Sequence, residues 1–289
     1  MTHYGLIEAG GTKFVLGVSD GEGRIDESCR VPTTTPAETL TASIAWLREQ
    51  NLPLAAIGIA AFGPLELDPT SPGWGCIGAT PKAHWSGADL VSPFAEAFGC
   101  PVAIDTDVNG AALAEARWGA GLGHGSLLYL TIGTGIGGGF VSQSRLLHGL
   151  THPEMGHIRV PIHPDDNDFS GVCPFHGTCL EGLTSGPAIE RRWGTSLDKL
   201  GADHPATAMA AWYIAQAVTS YRAVLQPARI VLGGGVMAAP GLLDAVREQA
   251  TALGNGYFPG DPAECIVSPG LGDRAGLMGA LALALNSTS

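Results

Sequence analysis

The chain has 289 residues, enough for one large domain or two modest ones around separate cores. A formal charge of −12, from 15 Lys plus Arg against 27 Asp plus Glu, excludes the basic footprint of a nucleic-acid groove. It leaves nucleotide binding open, since backbone N–H groups and a metal hold phosphates without many lysines. The 42 glycines have no every-third-residue period, so the excess points to tight turns and close backbone approaches rather than collagen. The opening MTHYGLIEAGG has no charged segment leading into a long apolar stretch, and nothing later approaches an 18-residue apolar run. A soluble cytoplasmic protein with no membrane partner is expected. The 6 cysteines make no disulfide framework, and Cys29, Cys76, Cys100 and Cys265 read as small hydrophobes in a reducing compartment.

In chain order the pattern is an α/β alternation written twice. Tyr4–Glu8 reads as a strand, a Gly-Gly turn follows, and Phe14–Val18 reads as its hairpin partner, with Arg24–Val31 as an added edge. TPAETLTASIAWLREQ is a helix with Thr35 as cap, Pro36 at the first position and apolar residues at Leu40, Ile44 and Leu47. LAAIGIAAFG is the continuous apolar run of a buried central strand. Residues 64–88, rich in Pro, Gly and Trp, read as ordered loop. Ala88–Phe98 is expected as helix, PVAIDTDV as strand and Asn109–Trp118 as helix. The pattern then restarts: SLLYLTIG is a strand, GTGIGGG a turn and GFVSQ its partner. A long irregular section, 144–184, is too long for an ordinary connection and is therefore a functional candidate. Helices are expected near 187–193 and 206–225, then a strand and turn in ARIVLGGGV, a helix in PGLLDAVREQA, a strand in AECIVSP and a closing helix in RAGLMGALALAL. Two lobes, each opened by a strand–Gly-turn–strand unit, imply a cleft between them, where such sites usually lie.

Three glycine-rich turns stand at the ends of apolar strands: Glu8–Lys13, Thr131–Gly139 and Leu232–Val236. None fits the P-loop or the dinucleotide fingerprint. Hairpin turns of this kind cup phosphates with their N–H groups, and Thr12, Thr131 and Thr134 add hydroxyl donors. DTDVNG (105–110) follows the apolar strand PVAID, at the strand end where open sheets place their ligands. One of its carboxylates could serve as base for a sugar hydroxyl and the other could hold Mg²⁺ through water; either could equally cap the next helix. PEMGH adds Glu154 and His157, and Glu181 follows shortly, all groups that recognise hydroxyl pairs. Cys173, His176 and Cys179 supply S, N and S ligands in a turn-rich loop, and one more ligand completes a structural Zn²⁺ site. His157, His163 and His152 are the candidates for the fourth. With four protein ligands and no open position, such a metal would be a clip that orients Glu154, His157 and Glu181, not the catalyst.

The sequence resembles the ROK family of sugar kinases and repressors, in the actin-like ATPase clan, and within it the bacterial fructokinase branch. Eight ordered motifs carry the resemblance across almost the whole chain: IEAGGTKF, AFGPLELDP, GATPKAHW, IDTDVNGAALAEARWGAG, LTIGTGIGGG, HPEMGH, VCPFHGTCLEGLTSGPA and VLGGGV. The resemblance implies two actin-like, ribonuclease H-like lobes around a cleft, with a zinc-bearing loop in the second. The first lobe would span 1–116, completed by the C-terminal helix 273–289; the second would span 117–272, with its zinc loop at about 152–184. It implies MgATP-dependent phosphorylation of a free sugar, with ATP held by Gly10, Gly11, Thr12, Lys13, Thr134 and Gly135 and its adenosine by Gly234 and Gly235. Asp107 falls on the family's general base, and Asn109, Glu154, His157 and Glu181 on its sugar ligands. The zinc set carried over is His157, Cys173, His176 and Cys179, and a homodimer is implied as well.

Two departures direct the substrate expectation. Glu8 stands where many glucokinase-like members have Asp, and CPFHGTCLE replaces their all-cysteine cluster; both variants resemble the fructokinase branch. D-fructose, converted to fructose 6-phosphate, is therefore the expected acceptor, with mannose, glucose, an N-acetylhexosamine or a non-catalytic sensor role as alternatives. Lys82, Trp74 and Trp85 in the GWGCIGATPKAHW loop are candidates for the sugar face. Asp105 is the candidate for Mg²⁺.

Overall fold

A computed structural model describes residues 2–288. Its first elements are β1 (His3–Ala9), β2 (Lys13–Ser19), β3 (Glu27–Pro32), α1 (Pro36–Glu49), β4 (Leu54–Ala61), α2 (Ser92–Phe98), β5 (Val102–Thr106) and α3 (Asp107–Trp118). Next come β6 (Ser126–Ile132), β7 (Ile136–Ser142), β8 (Arg145–Leu146), α4 (Leu180–Thr184), α5 (Gly186–Trp193) and α6 (Pro205–Leu225). The chain closes with β9 (Arg229–Gly233), α7 (Leu242–Gly254), α8 (Pro262–Cys265), β10 (Ile266–Val267) and α9 (Ala275–Asn286). Two five-stranded sheets result, ordered β3-β2-β1-β4-β5 and β10-β9-β6-β7-β8.

The chain divides into two compact units. One comprises Met1–Trp118, Arg145–Pro153 and Leu271–Ser289; the other comprises Gly119–Ser144 and Glu154–Gly270. The segment Arg145–Pro153, expected with the second lobe, thus groups with the first unit. His148 explains this, because its ring is bonded to Asp105 of that unit.

In the first unit β1 pairs antiparallel with β2, and parallel with β4, which pairs parallel with β5. Ala9 aligns with Ala61, and Ala61 with Thr106, so the turn after β1 and the residues after β5 emerge on one edge of the sheet. That register puts the first glycine turn and Asp107 at the same end of the unit. Leu6, Ile7, Leu16, Ile57, Ile59 and Phe94 are fully buried around this sheet. Each such side chain contributes about 1.5–3 kcal/mol of transfer free energy. Helix α9 lies so close to β4 that a Cβ on Gly58 would come 1.8 Å from the Ala280 carbonyl oxygen; only glycine allows this approach. Helix α1 begins as its sequence requires, with Thr35 Oγ1 accepting the Glu38 N–H at 3.4 Å.

The second unit repeats the opening: β6 pairs antiparallel with β7 and parallel with β9, with Thr131 opposite Gly233. The second and third glycine turns therefore share an edge as well. Ile132, Leu180, Leu183, Tyr213, Ile230 and Leu232 are buried in its core.

Four boundaries differ from expectation, each for a local reason. Helix α2 starts at Ser92, not Ala88, because Asp89 Oδ1 accepts the Val91 and Ser92 N–H groups and holds the preceding residues out of the helix. Helix α3 begins at Asp107, two residues early. Gly137–Gly139 belong to β7 rather than to the turn; a Cβ on Gly138 would meet Leu130 and Met155 within 2.7 Å, so the missing side chains make room for the following loop. In AECIVSP only Ile266–Val267 is strand, since Asp261 caps the short helix α8 before it.

Candidate active site and metal centre

Asp107 stands where β5 becomes α3. Its Oδ1 accepts the Val108 N–H at 2.8 Å, a short local bond that fixes the carboxyl orientation, and the residue is exposed to solvent. Desolvation by the surrounding protein raises its pKa above the usual carboxylate range, against the lowering effect of the Val108 and Asp107 N–H groups and the nearby His152 charge. The group is thus both reachable and more basic than an ordinary aspartate, the two properties a general base requires. Glu8, at the end of β1, is also shifted upward, first by burial and then by Asp107, while Lys13 and Arg30 oppose the shift. Its carboxyl lies on the first turn of α9, where a Cβ on Gly276 would come 2.1 Å from Glu8 Cδ.

The neighbours of Asp107 are less available than the sequence suggested. Asp105 is buried, and both of its oxygens are engaged: Oδ1 accepts the Thr106 N–H at 2.8 Å and Asn109 Nδ2 at 2.7 Å, while Oδ2 meets His148 Nε2 at 2.8 Å. This geometry makes it an organiser of the strand end and does not support the expected Mg²⁺ role. Asn109 is fully buried, with its amide spent on Asp105. Trp85 is also buried, with its indole N–H donating to the Thr34 carbonyl at 2.8 Å and its ring against Phe14 and Phe62; it is a core anchor rather than a sugar face. Trp74 is partly buried against the same cluster, and Lys82 Nζ donates to the Thr33 carbonyl at 3.4 Å. His148, which sequence reading passed over, carried no motif signal; its role depends on a contact 43 residues away.

The first glycine turn is closed by the Gly10 N–H on the Lys13 carbonyl at 3.1 Å and tied by the Thr33 hydroxyl to the Gly10 carbonyl at 2.7 Å. Gly11, Thr12 and Lys13 are exposed beyond it. In the second unit Thr134, Gly135, Gly234 and Gly235 converge as their strands' register dictates. Gly234 sits at φ +92°, and a Cβ there would come 2.3 Å from the Ile132 carbonyl oxygen. A cavity of about 250 Å³ opens beside these turns, lined among others by Thr134, Gly186, Ser196, Asp198, Gly235 and Val236. Gly186, Ser196 and Asp198 were not singled out from sequence, because helix α5 and the turn after it reach this cavity only through the tertiary fold.

The irregular stretch after β8 builds a candidate metal centre. His157, Cys173, His176 and Cys179 point one ligand atom each into a common space, all within 4.8 Å of one another. Cys173 Sγ lies 3.8 Å from His157 Nδ1 and 3.7 Å from His176 Nδ1, and Cys179 Sγ lies 3.5 Å from His157 Nδ1. Tetrahedral zinc with Zn–S near 2.3 Å and Zn–N near 2.0–2.1 Å gives S···N edges of about 3.6 Å. The donor set fits Zn²⁺ in chemistry and in spacing. His157 Nε2 faces Glu154 Oε2 at 4.0 Å, an ion-pair distance beyond hydrogen-bond reach. Burial pushes the Cys179 thiol up, with further raising contributions from Cys173 and Glu181 against the Gly182 N–H. A thiolate there needs a cation. Cys179 also caps α4, its Sγ accepting the Gly182 N–H at 3.5 Å. One turn further, Glu181 Oε2 accepts the Ile136 N–H at 2.9 Å, so this carboxylate lies against the second glycine turn. Glu154 is exposed.

A second anchor holds the same loop. Asp166 is buried and takes a bidentate Arg192, Nε at 2.9 Å and a terminal nitrogen at 2.8 Å, plus the Tyr213 hydroxyl at 2.6 Å. Arg192 further stacks over Phe169 at 3.9 Å. Burial and the Asp166 carboxylate push the Tyr213 hydroxyl up to about 12.

Duplicated sheets, each opened by a strand–glycine-turn–strand unit, with an exposed basic carboxylate in one and a four-ligand metal loop in the other, define a class of phosphate-handling α/β proteins. The ROK family profile matches residues 4–287, and the chain belongs to the ROK family. It is 52% identical over 291 residues to a fructokinase of Zymomonas mobilis subsp. mobilis, covering 98% of this chain and 96% of that one. A ROK hexokinase from Thermus thermophilus superposes with a TM-score of 0.83 at 31% identity, covering 99% of each chain. A ROK glucokinase from Streptomyces griseus, solved with glucose and AMPPNP, gives a TM-score of 0.75 at 27% identity, again covering 99% of each. Among the described residues no helix is long and apolar enough to cross a membrane.

Proposed function

We propose that this chain is an ATP-dependent sugar kinase that phosphorylates D-fructose to fructose 6-phosphate. The observation that carries the reading is Asp107, an exposed carboxylate with a raised pKa at the end of β5, on the same sheet edge as the first glycine turn. In the proposed reaction the sugar hydroxyl oxygen attacks the γ-phosphorus of ATP, the bond to the β–γ bridging oxygen breaks, and ADP leaves. Asp107 orients the hydroxyl and takes its proton, which then passes to solvent. Gly10, Gly11, Thr12 and Lys13 of the first glycine turn, and Thr134 and Gly135 of the second, are assigned to the phosphates in this reading. Gly234, Gly235 and the cavity with Ser196 and Asp198 receive the adenosine. Mg²⁺, arriving with the nucleotide, supplies neutralisation of phosphate charge that a chain of net charge −12 does not.

Zn²⁺ held by His157, Cys173, His176 and Cys179 supplies rigidity: it fixes the start of α4 and the ring facing Glu154. Glu154 and Glu181 serve as sugar ligands in this reading, and His157 acts at the pocket edge through Glu154. The fructose assignment is supported by 52% identity to a fructokinase against 27% to a glucokinase. A homodimer working in the cytoplasm completes the reading; the free cysteines suit a reducing compartment.

A coupled assay of ADP release across fructose, glucose, mannose, N-acetylglucosamine and N-acetylmannosamine tests the reading. Fructose should give the largest kcat/KM, with mannose next; fructose, mannose and glucose are configured alike from C3 to C5, so the order turns on C1 and C2. A buried hydroxyl-reading group left unpaired costs about 1–3 kcal/mol, so the preference should be roughly five- to 150-fold. Turnover greatest with glucose overturns the fructose assignment. No turnover with any sugar, in folded protein with Mg²⁺, overturns the kinase in favour of a sensor.

A further inference from the structure

We propose that His148 is a positioning residue for the sugar acceptor: bonded to the buried Asp105 carboxylate, it holds the Arg145–Pro153 segment against the end of β5 and so sets His152 beside Asp107. The proposal rests on the kinase reading and deepens it.

Asp105 is 4% exposed, and a buried carboxylate is tolerated only when its oxygens are paired. Backbone and Asn109 serve Oδ1, and His148 Nε2, at 2.8 Å, is the partner of Oδ2. The pairing also raises the His148 pKa, so the ring favours its donor form. The segment starts as β8 at the edge of the second sheet, and His148 is its tie to the end of β5. Leu147 is 40% exposed, Leu150 fully exposed, and the Gly149 N–H bonds only within the segment, to the Thr151 carbonyl. Four residues beyond His148, the His152 ring lies near enough to lower the Asp107 pKa, and its Nε2 is 3.7 Å from where a Cβ on Gly63 would be. Loss of the His148 tie would loosen the segment that brings His152 toward the base.

A second observation points the same way. Asn109, fully buried in α3, spends its amide nitrogen on Asp105 while its Oδ1 has no hydrogen-bond partner. A buried amide oxygen without a protein partner calls for an explanation, and here the other end of the amide is fixed on Asp105. Two side chains from two segments, one at a polar penalty, are thus committed to fixing a carboxylate two residues from the base.

Steady-state kinetics and calorimetric MgADP binding on His148→Ala and His148→Gln test this. A shift of about 1 Å in a positioning group can cost about a hundredfold. His148→Ala should raise the fructose KM by roughly ten- to a hundredfold, with MgADP affinity within about twofold of the parent. His148→Gln, whose amide can still donate to Asp105, should recover most of the loss. If His148→Ala does not fold, His148→Asn, with a shorter arm, replaces it in the comparison. A lowered Tm with unchanged KM overturns the proposal, as does MgADP binding that falls in step with KM. A parent protein that binds MgADP but turns over no sugar overturns the kinase reading and this proposal together.

Discussion

At the end of β5 the candidate reactive groups come from regular structure: Thr106 closes the strand, Asp107 opens α3, and Asn109 follows in its first turn. The strand's burial and the parallel register with β4 fix where the carboxylates emerge. In the loop from Glu154 to Cys179 the ligands come from a short 3₁₀ turn, a bend and the cap of a five-residue helix, with no ladder to align them. What regular hydrogen bonding does in the first region is done in the second by point anchors, the four-ligand cluster and the Asp166–Arg192–Tyr213 group. The difference teaches where each region should fail. The β5 edge should lose chemistry while keeping its shape, and the loop should lose shape first.

The sharpest contrast comes from D107N. Removal of the proton acceptor should lower kcat by about 10²-fold or more, with MgADP affinity little changed. Retention of most of the kcat would leave Asp107 as only a helix start. The same variant should be slightly more stable than the parent at neutral pH. The folded pKa of Asp107 is raised, so the native state binds more protons than the unfolded one, and stability falls as pH rises from about 3.9 through the folded value. Asn has no such penalty, so the gain in Tm should vanish below about pH 4.

R192A breaks the point anchor in the other region. It leaves Asp166 as a buried, uncompensated carboxylate, and loss of about 3–5 kcal/mol of stability is expected. Denaturant unfolding measures it; a change under about 1 kcal/mol would mean that the loop is held elsewhere. C179A should have a more local effect. Elemental analysis of parent protein purified without added zinc should find one zinc per chain, and the variant should find almost none. Hydrogen exchange should then rise across 171–181 while 158–170 stays protected by Asp166, a narrower loosening than the whole of 144–184. Well-folded, active parent protein without zinc would remove the metal from the account.

Much of the site was legible because it lies close in sequence. CPFHGTC carries three ligands in seven positions, and DTDVNG lies at the end of a plainly apolar strand. The roles within those motifs were harder to read. Asp105 and Asp107 are two apart and would share one face of a continuing strand; because the chain turns from β5 into α3 at Asp107, Asp105 points inward to Asn109 and His148 and Asp107 is left exposed. Trp85 looked like a sugar platform because a tryptophan in a glycine-rich loop gives no sign of which way it faces. Glu181 read as a hydroxyl ligand, and the fold brings it to the Ile136 N–H, 45 residues away.

The sequence by itself determined the doubled α/β pattern, the caps, the three glycine turns and three of the four candidate metal ligands, Cys173, His176 and Cys179, because each rests on local periodicity, backbone sterics or donor chemistry within a few residues. Only the tertiary structure decided that Arg145–Pro153 belongs with the first unit, that Asp105 holds rather than binds, and that Ser196 and Asp198 share a cavity with Gly235. Each of these depends on which groups meet across tens of residues, and in a buried setting the pairing of polar groups, not their spacing in the chain, sets what they can do.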